Sequence, residues 1–115
     1  MRRWRQVQRE SDMVQCSQCG EDLDREEKGG RLASISGGIM GDEYTDSYYF
    51  CNRCQVYTVK VYHDRFLGED DVSIRGPVPK SEGDAKVELI RQCSEPWNKK
   101  CRCEAHRSYF QGWLD

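Results

Sequence analysis

Cys16-Ser17-Gln18-Cys19 and Cys51-Asn52-Arg53-Cys54 are two Cys-x-x-Cys pairs separated by 31 residues. A two-residue gap turns the backbone tightly enough to aim both sulfurs at one point, and two such pairs supply four thiolates to one tetrahedral metal. Four thiolates complete the coordination of such an ion and leave no position for water. The expected site therefore stabilises a fold and performs no chemistry. Zinc is the expected ion; a single iron or an iron-sulfur cluster is the alternative, because both accept the same donors.

A second constellation, Cys93, Cys101, Cys103 and His106, follows near the end of the chain, and together the two sets use all seven cysteines and one of the two histidines. Cys101 and Cys103 would point to opposite faces of a strand, so a shared metal requires a turn, for which Pro96 and Asn98 supply the chemistry. Cys103 and His106 stand three apart, on one side of a helix beginning near Glu104. The spacing predicts a second closed centre of Cys3His type, giving two zinc ions in all. Iron-sulfur proteins also use asymmetric ligand sets of this kind, which keeps a redox reading open.

The elements that must position these ligands have little core to draw on. Of 115 residues, 37% are hydrophobic and 33% charged. A chain this short and polar needs staples, and seven cysteines provide them as disulfides or as metal sites. No apolar run follows the basic first residues and no segment is long enough to span a bilayer, so the expectation is a cytoplasmic chain with reduced, metal-bound thiols.

Trp4 and Val7 suggest a short amphipathic helix or a frayed basic arm over 1–13. Gly20 directly follows Cys19, where a positive φ is expected. Strands are predicted over 31–36, ended by Gly37, Gly38 and Gly41, then over 44–50 and 57–62, with a short edge strand over 72–75. Gly76-Pro77-Val78-Pro79 reads as a stiff connector. Beyond it, Ser81 and Asp84 form a helix start, with Ala85, Leu89 and Cys93 on one stripe. A last helical segment over 104–114 groups Tyr109, Phe110 and Trp113.

At its ligands, CSQC and CNRC, the chain resembles the zinc ribbons over residues 14–75. The resemblance implies a three-stranded antiparallel sheet with the metal at one end, and a small metal-stapled α+β fold once the helical Cys3His tail is added. The expected organisation is a basic arm over 1–13, a ribbon over 14–75, and a linker, helix and second metal subdomain over 76–115. Zinc ribbons serve in transcription, translation and RNA modification and as docking modules of larger enzymes, so the motif specifies a fold without specifying an activity.

Elsewhere the sequence argues against catalysis. Ser34, Ser36, Ser47 and Ser73 lack a Gly-x-Ser-x-Gly context. Gly37, Gly38 and Gly41 are not followed by the Gly-Lys-Ser/Thr of a phosphate loop. His63 is in phase with Val59 and Val61 and reads as a hydrogen-bonded structural residue. The net charge of −2 opposes general affinity for nucleic acid, although Arg2, Arg3, Arg5 and Arg9 at one end and Arg91, Lys99, Lys100, Arg102 and Arg107 at the other could track a phosphate backbone with aromatics interleaved. The sequence thus points to a non-catalytic two-zinc interaction module, an accessory subunit or adaptor docking on a larger protein. A small iron-sulfur protein and a nucleic-acid-binding ribbon are the alternatives; neither a membrane nor a small-molecule substrate is expected.

Overall fold

A computed structural model describes residues 14–23, 31–65, 68–112 and 114. The predicted arm over 1–13, residues 24–30 and Trp113 lie outside the described residues. Four strands, β1 (Arg31–Ile39), β2 (Asp42–Cys51), β3 (Val56–Asp64) and β4 (Asp71–Pro79), form an antiparallel meander in the order β1-β2-β3-β4. Two helices follow, α1 (Lys80–Arg91) and α2 (Glu104–Tyr109). The three-stranded ribbon expected from the ligands is therefore a four-stranded sheet whose last strand is as long as its first.

Two of the differences come from glycines and prolines. β1 does not stop at Gly37 but runs to Ile39, and Ile39 pairs with Asp42 across the two-residue loop Met40-Gly41. Both loop residues have positive φ, 53° and 87°, the geometry that matches the twist of a tight hairpin. Gly37 is needed for space: a Cβ there would lie 2.7 Å from the Phe110 ring and from Leu114. Gly76–Pro79, expected as a connector, is the end of β4, with Val78 and Pro79 paired to Tyr57 and Val56. Between Val59↔Arg75 and Tyr57↔Val78 the ladder slips, so that Gly76 and Pro77 together oppose Thr58. Such a bulge accommodates a proline that cannot donate to the ladder.

The helix stripe also differs. α1 buries Gly83, Val87 and Ile90, whereas Ala85 is exposed and Leu89 only half-buried. A Cβ on Gly83 would fall 2.1 Å from the Tyr57 ring, so the helix approaches the sheet at the one residue that a hydrophobic pattern does not count. Ser81 and Asp84 form no cap: Pro79 occupies the N-cap position with no side-chain hydrogen bond. Asp84 instead accepts from the Tyr57 hydroxyl at 2.6 Å and from Lys80 at 2.9 Å.

Two apolar clusters result. The larger joins Ile35, Tyr48, Tyr57 and Val59 of the sheet to Val87, Ile90, Tyr109 and Phe110 of the helical tail. At its centre Tyr109 donates to Asp46 Oδ2 at 2.6 Å and accepts from Tyr48 at 2.7 Å. Burial and the neighbouring Asp46 carboxylate raise the Tyr109 pKa well above that of an ordinary tyrosine. The smaller cluster, Val14, Cys16, Leu23, Tyr49 and Cys51, lies under the first Cys-x-x-Cys turn. Among the described residues no helix is long and apolar enough to cross a membrane.

Candidate metal centres

The first centre is assembled from two copies of one local turn. Within each, the residue after the second cysteine bonds back to the first, Gly20 N–H to Cys16 O at 2.9 Å and Gln55 N–H to Cys51 O at 2.8 Å. The second cysteine's N–H points at the first one's sulfur at 3.4 Å in both cases. Both turns close through a positive φ, 81° at Gly20 as expected and 58° at Gln55. Gln55 is the unforeseen member, since glycine is the usual occupant of that conformation. Cys51 ends β2, so the second turn is the β2–β3 connection, while the first is carried on a minimal hairpin closed by the Gln15↔Asp22 bridge.

That hairpin is fastened to the sheet by polar contacts that no sequence pattern announced. Thr58, fully buried in β3, accepts from the Ser17 backbone N–H at 2.9 Å and lies 3.0 Å from the Ser17 hydroxyl. These contacts bring Cys16, Cys19, Cys51 and Cys54 together with all four sulfurs within 4.8 Å of one another. Cys19 and Cys51 sulfurs are 3.9 Å apart. A tetrahedral metal with sulfurs at about 2.3 Å requires edges of about 3.8 Å, whereas a disulfide requires about 2 Å. All seven cysteines are free thiols.

The second centre reuses the same turn in a different setting. Cys103 is the N-cap of α2: its sulfur receives the His106 N–H at 3.4 Å, and its carbonyl receives the Arg107 N–H at 3.0 Å. Cys93 lies just beyond α1, and the Glu95–Asn98 and Asn98–Cys101 turns bring Cys101 round to meet it. The ligand atoms of Cys93, Cys101, Cys103 and His106 again lie within 4.8 Å of one another, with Cys93 and Cys101 sulfurs 3.7 Å apart. The Cys93 sulfur is 3.3 Å from His106 Nδ1.

The other ring nitrogen of His106 decides its tautomer. Nε2 is 2.6 Å from the carbonyl of Ser36 in β1, so it carries the proton and donates, leaving the Nδ1 lone pair aimed into the quartet. A metal-ligating histidine has this arrangement, with its far nitrogen anchored on a carbonyl. Ser36 also donates its N–H to the Pro96 carbonyl at 2.8 Å. Both backbone groups of Ser36 are thus bonded by the metal-loop segment at the outer edge of β1.

In both quartets the thiols are tuned apart by their neighbours. At Cys16 burial works to raise the pKa, but the N–H groups of Cys19 and Gln18 outweigh it and hold the thiol at about 7. Burial, reinforced by the sulfurs of Cys19, Cys16 and Cys51, pushes Cys54 up to about 12. In the second quartet the His106 N–H lowers Cys103, while burial and the adjacent sulfurs push Cys93 up to about 12. Each additional thiolate is disfavoured by those already formed, and a cation among them removes that penalty. The donor sets fit a metal in both places, and the two cysteine clusters can each hold an ion such as zinc or iron.

His63, read as structural, has its Nε2 2.8 Å from Asp42 and stacks on Tyr44 with ring centroids 4.2 Å apart. Compared with known protein families, curated proteins and solved structures, the chain matches none.

Proposed function

We propose that this protein is a non-catalytic two-zinc interaction module that docks on a larger protein. The observation that carries the reading is the pair of complete four-donor sets, each with its ligand atoms within 4.8 Å of one another. Zinc bound to four protein donors has no vacant position for substrate or water, so its contribution there is structural. In the first centre Cys16, Cys19, Cys51 and Cys54 would hold the ion; in the second, Cys93, Cys101, Cys103 and His106 Nδ1 would do so.

The contact surface we assign lies on the second metal loop. Trp97 is 71% exposed there, held between Pro96, which is bonded to β1, and the turn leading to Cys101. Tryptophan is among the side chains most often found at the energetic centre of a protein interface. A protein partner suits it better than nucleic acid because two of the neighbouring cations are already engaged: Lys99 pairs with Glu43, and Arg102 Nη1 donates to the carbonyls of Lys99 and Cys101 at 3.0 Å. The test is affinity capture from the native host with wild-type protein and with Trp97→Ala, each quantified for bound metal. The reading predicts a specific partner lost by Trp97→Ala at unchanged zinc content. A coloured protein carrying iron, or a partner retained in full by the variant, contradicts it.

A further inference from the structure

The two edges of the sheet are treated differently. β1 is closed at Ser36 by Pro96 and His106. At the opposite end of the order β1-β2-β3-β4, nothing among the described residues bonds to the outer edge of β4 over Asp71–Arg75. Val72 and Ile74 on this edge are 37% and 48% exposed. An unpaired strand edge is a template for another strand, and proteins blunt such edges with prolines, bulges and charges. Here the bulge at Gly76 and Pro77 and the second proline, Pro79, blunt only the end of β4 nearest α1. The preceding five residues are left open.

Those five residues specify what fits them. Read against its own reverse, Asp71-Val72-Ser73-Ile74-Arg75 places Asp opposite Arg, Val opposite Ile and Ser opposite Ser. We propose that β4 pairs antiparallel with β4 of a second copy of this chain, about a two-fold axis through Ser73, joining the two sheets into one of eight strands. Asp71, Ser73 and Arg75 share the face of Val61 and Val59, whereas Val72 and Ile74 share the opposite face with Tyr62 and Lys60. The two-fold therefore sets an Asp–Arg pair at each end of one face and a Val–Ile pair twice on the other. Opposite charges and branched apolar residues directly across a ladder both favour pairing. A parallel arrangement in register would instead set Asp against Asp and Arg against Arg.

Within one chain Asp71 pairs with Arg65 at 2.8 Å and Arg75 with Asp46 at 3.4 Å. All but Asp46 are at least 41% exposed at the side chain, so a carboxylate or guanidinium has room for a second partner. Five residues per strand give an interface smaller than the roughly 1,200–2,000 Å² of stable complexes. The dimer is consequently a concentration-dependent equilibrium rather than a permanent assembly.

The test is sedimentation velocity on the metal-loaded full chain under reducing conditions, from micromolar to near-millimolar protein, with wild type, Val72→Lys, Ile74→Glu and the double variant. Both positions are exposed and neither takes part in an ion pair, and unchanged metal content and circular dichroism verify the fold. The wild type is expected to shift from monomer toward dimer as concentration rises. Each single variant acts twice across the two-fold and weakens association about tenfold. The double variant places the introduced lysine of one copy opposite the introduced glutamate of the other and recovers most of that loss. A wild type that stays monomeric throughout overturns the proposal and leaves the edge to a strand of some other protein. Dimerisation unaffected by either single variant, or not rescued in the double, overturns it as well.

Discussion

The first quartet has the more familiar spacing and the second holds more of the protein. Cys16, Cys19, Cys51 and Cys54 clamp a hairpin of ten described residues onto the β2–β3 turn, over a small cluster of Val14, Leu23 and Tyr49. Cys93, Cys101, Cys103 and His106 fix the six residues of α2, and through α2 they hold Tyr109 and Phe110 in the larger core. A helix of six residues has no stability of its own in water. Its position depends on the metal loop at its N-terminus and on the packing it makes against Gly37 and Ile35. How readily a motif is recognised therefore says nothing about how much of the fold depends on it.

Substitutions that remove one exposed ligand from each quartet test this asymmetry directly. Cys103→Ser leaves a good N-cap residue in place, so the loss it reports is that of the metal. We expect it to release α2, open the larger core and cost about 4 kcal/mol or more, read by denaturant unfolding and by loss of near-ultraviolet signal from Tyr48 and Tyr109. Cys19→Ser should cost about 2–3 kcal/mol. In hydrogen exchange its effect should be confined to 14–23 and the β2–β3 turn. If Cys19→Ser proves the more damaging of the two, the asymmetry runs the other way.

Gly37→Ala probes the second region without touching a ligand. The added methyl meets Phe110 and Leu114 at 2.7 Å, and overpacking of this kind costs about 1–3 kcal/mol. Metal content should remain at the wild-type level, with faster exchange in α2 and none in 14–23.

The smallest expected effect concerns the contact between α1 and β3. Lys80 first, and then the Tyr57 hydroxyl, hold the Asp84 carboxyl below its ordinary value. A carboxyl with a depressed folded-state pKa adds stability above its unfolded value, and that stability is lost as pH falls through the folded one. Asp84→Asn should therefore lower stability slightly at neutral pH, converge with wild type once Asp84 is protonated, and so flatten the acid limb of the stability profile. Tyr57 behaves in the opposite sense: burial and Asp84 push it up to about 12, so its contribution is present below the unfolded tyrosine value and lost as pH rises through about 12.

How much of this was legible in the sequence follows from the range of each interaction. The Cys-x-x-Cys turns, the positive φ after Cys19 and the ligand set at Cys103 and His106 are local, decided within four residues, and the spacing carries them. The clasp of Ser36 between Pro96 and His106 joins residues 60 and 70 positions apart through the backbone N–H and carbonyl of Ser36, which leave no mark on residue type. Gly37 read as a strand breaker and Gly83 drew no reading, yet both are contact points where a ring takes the place of a side chain. Pro77 and Pro79 read as a connector because proline opposes ladder bonding, but an edge strand with a bulge accommodates them. Thr58 gave no signal at all, since its partner Ser17 belongs to a turn whose position depends on the metal site.

Metal counting by native mass spectrometry on protein purified anaerobically tests directly whether the two quartets bind two ions independently. We predict two zinc ions bound to wild type, one to Cys19→Ser, one to Cys103→Ser and none to the double variant. Wild-type protein whose mass corresponds to cystine bridges without metal, or single variants that lose both ions together, would contradict it.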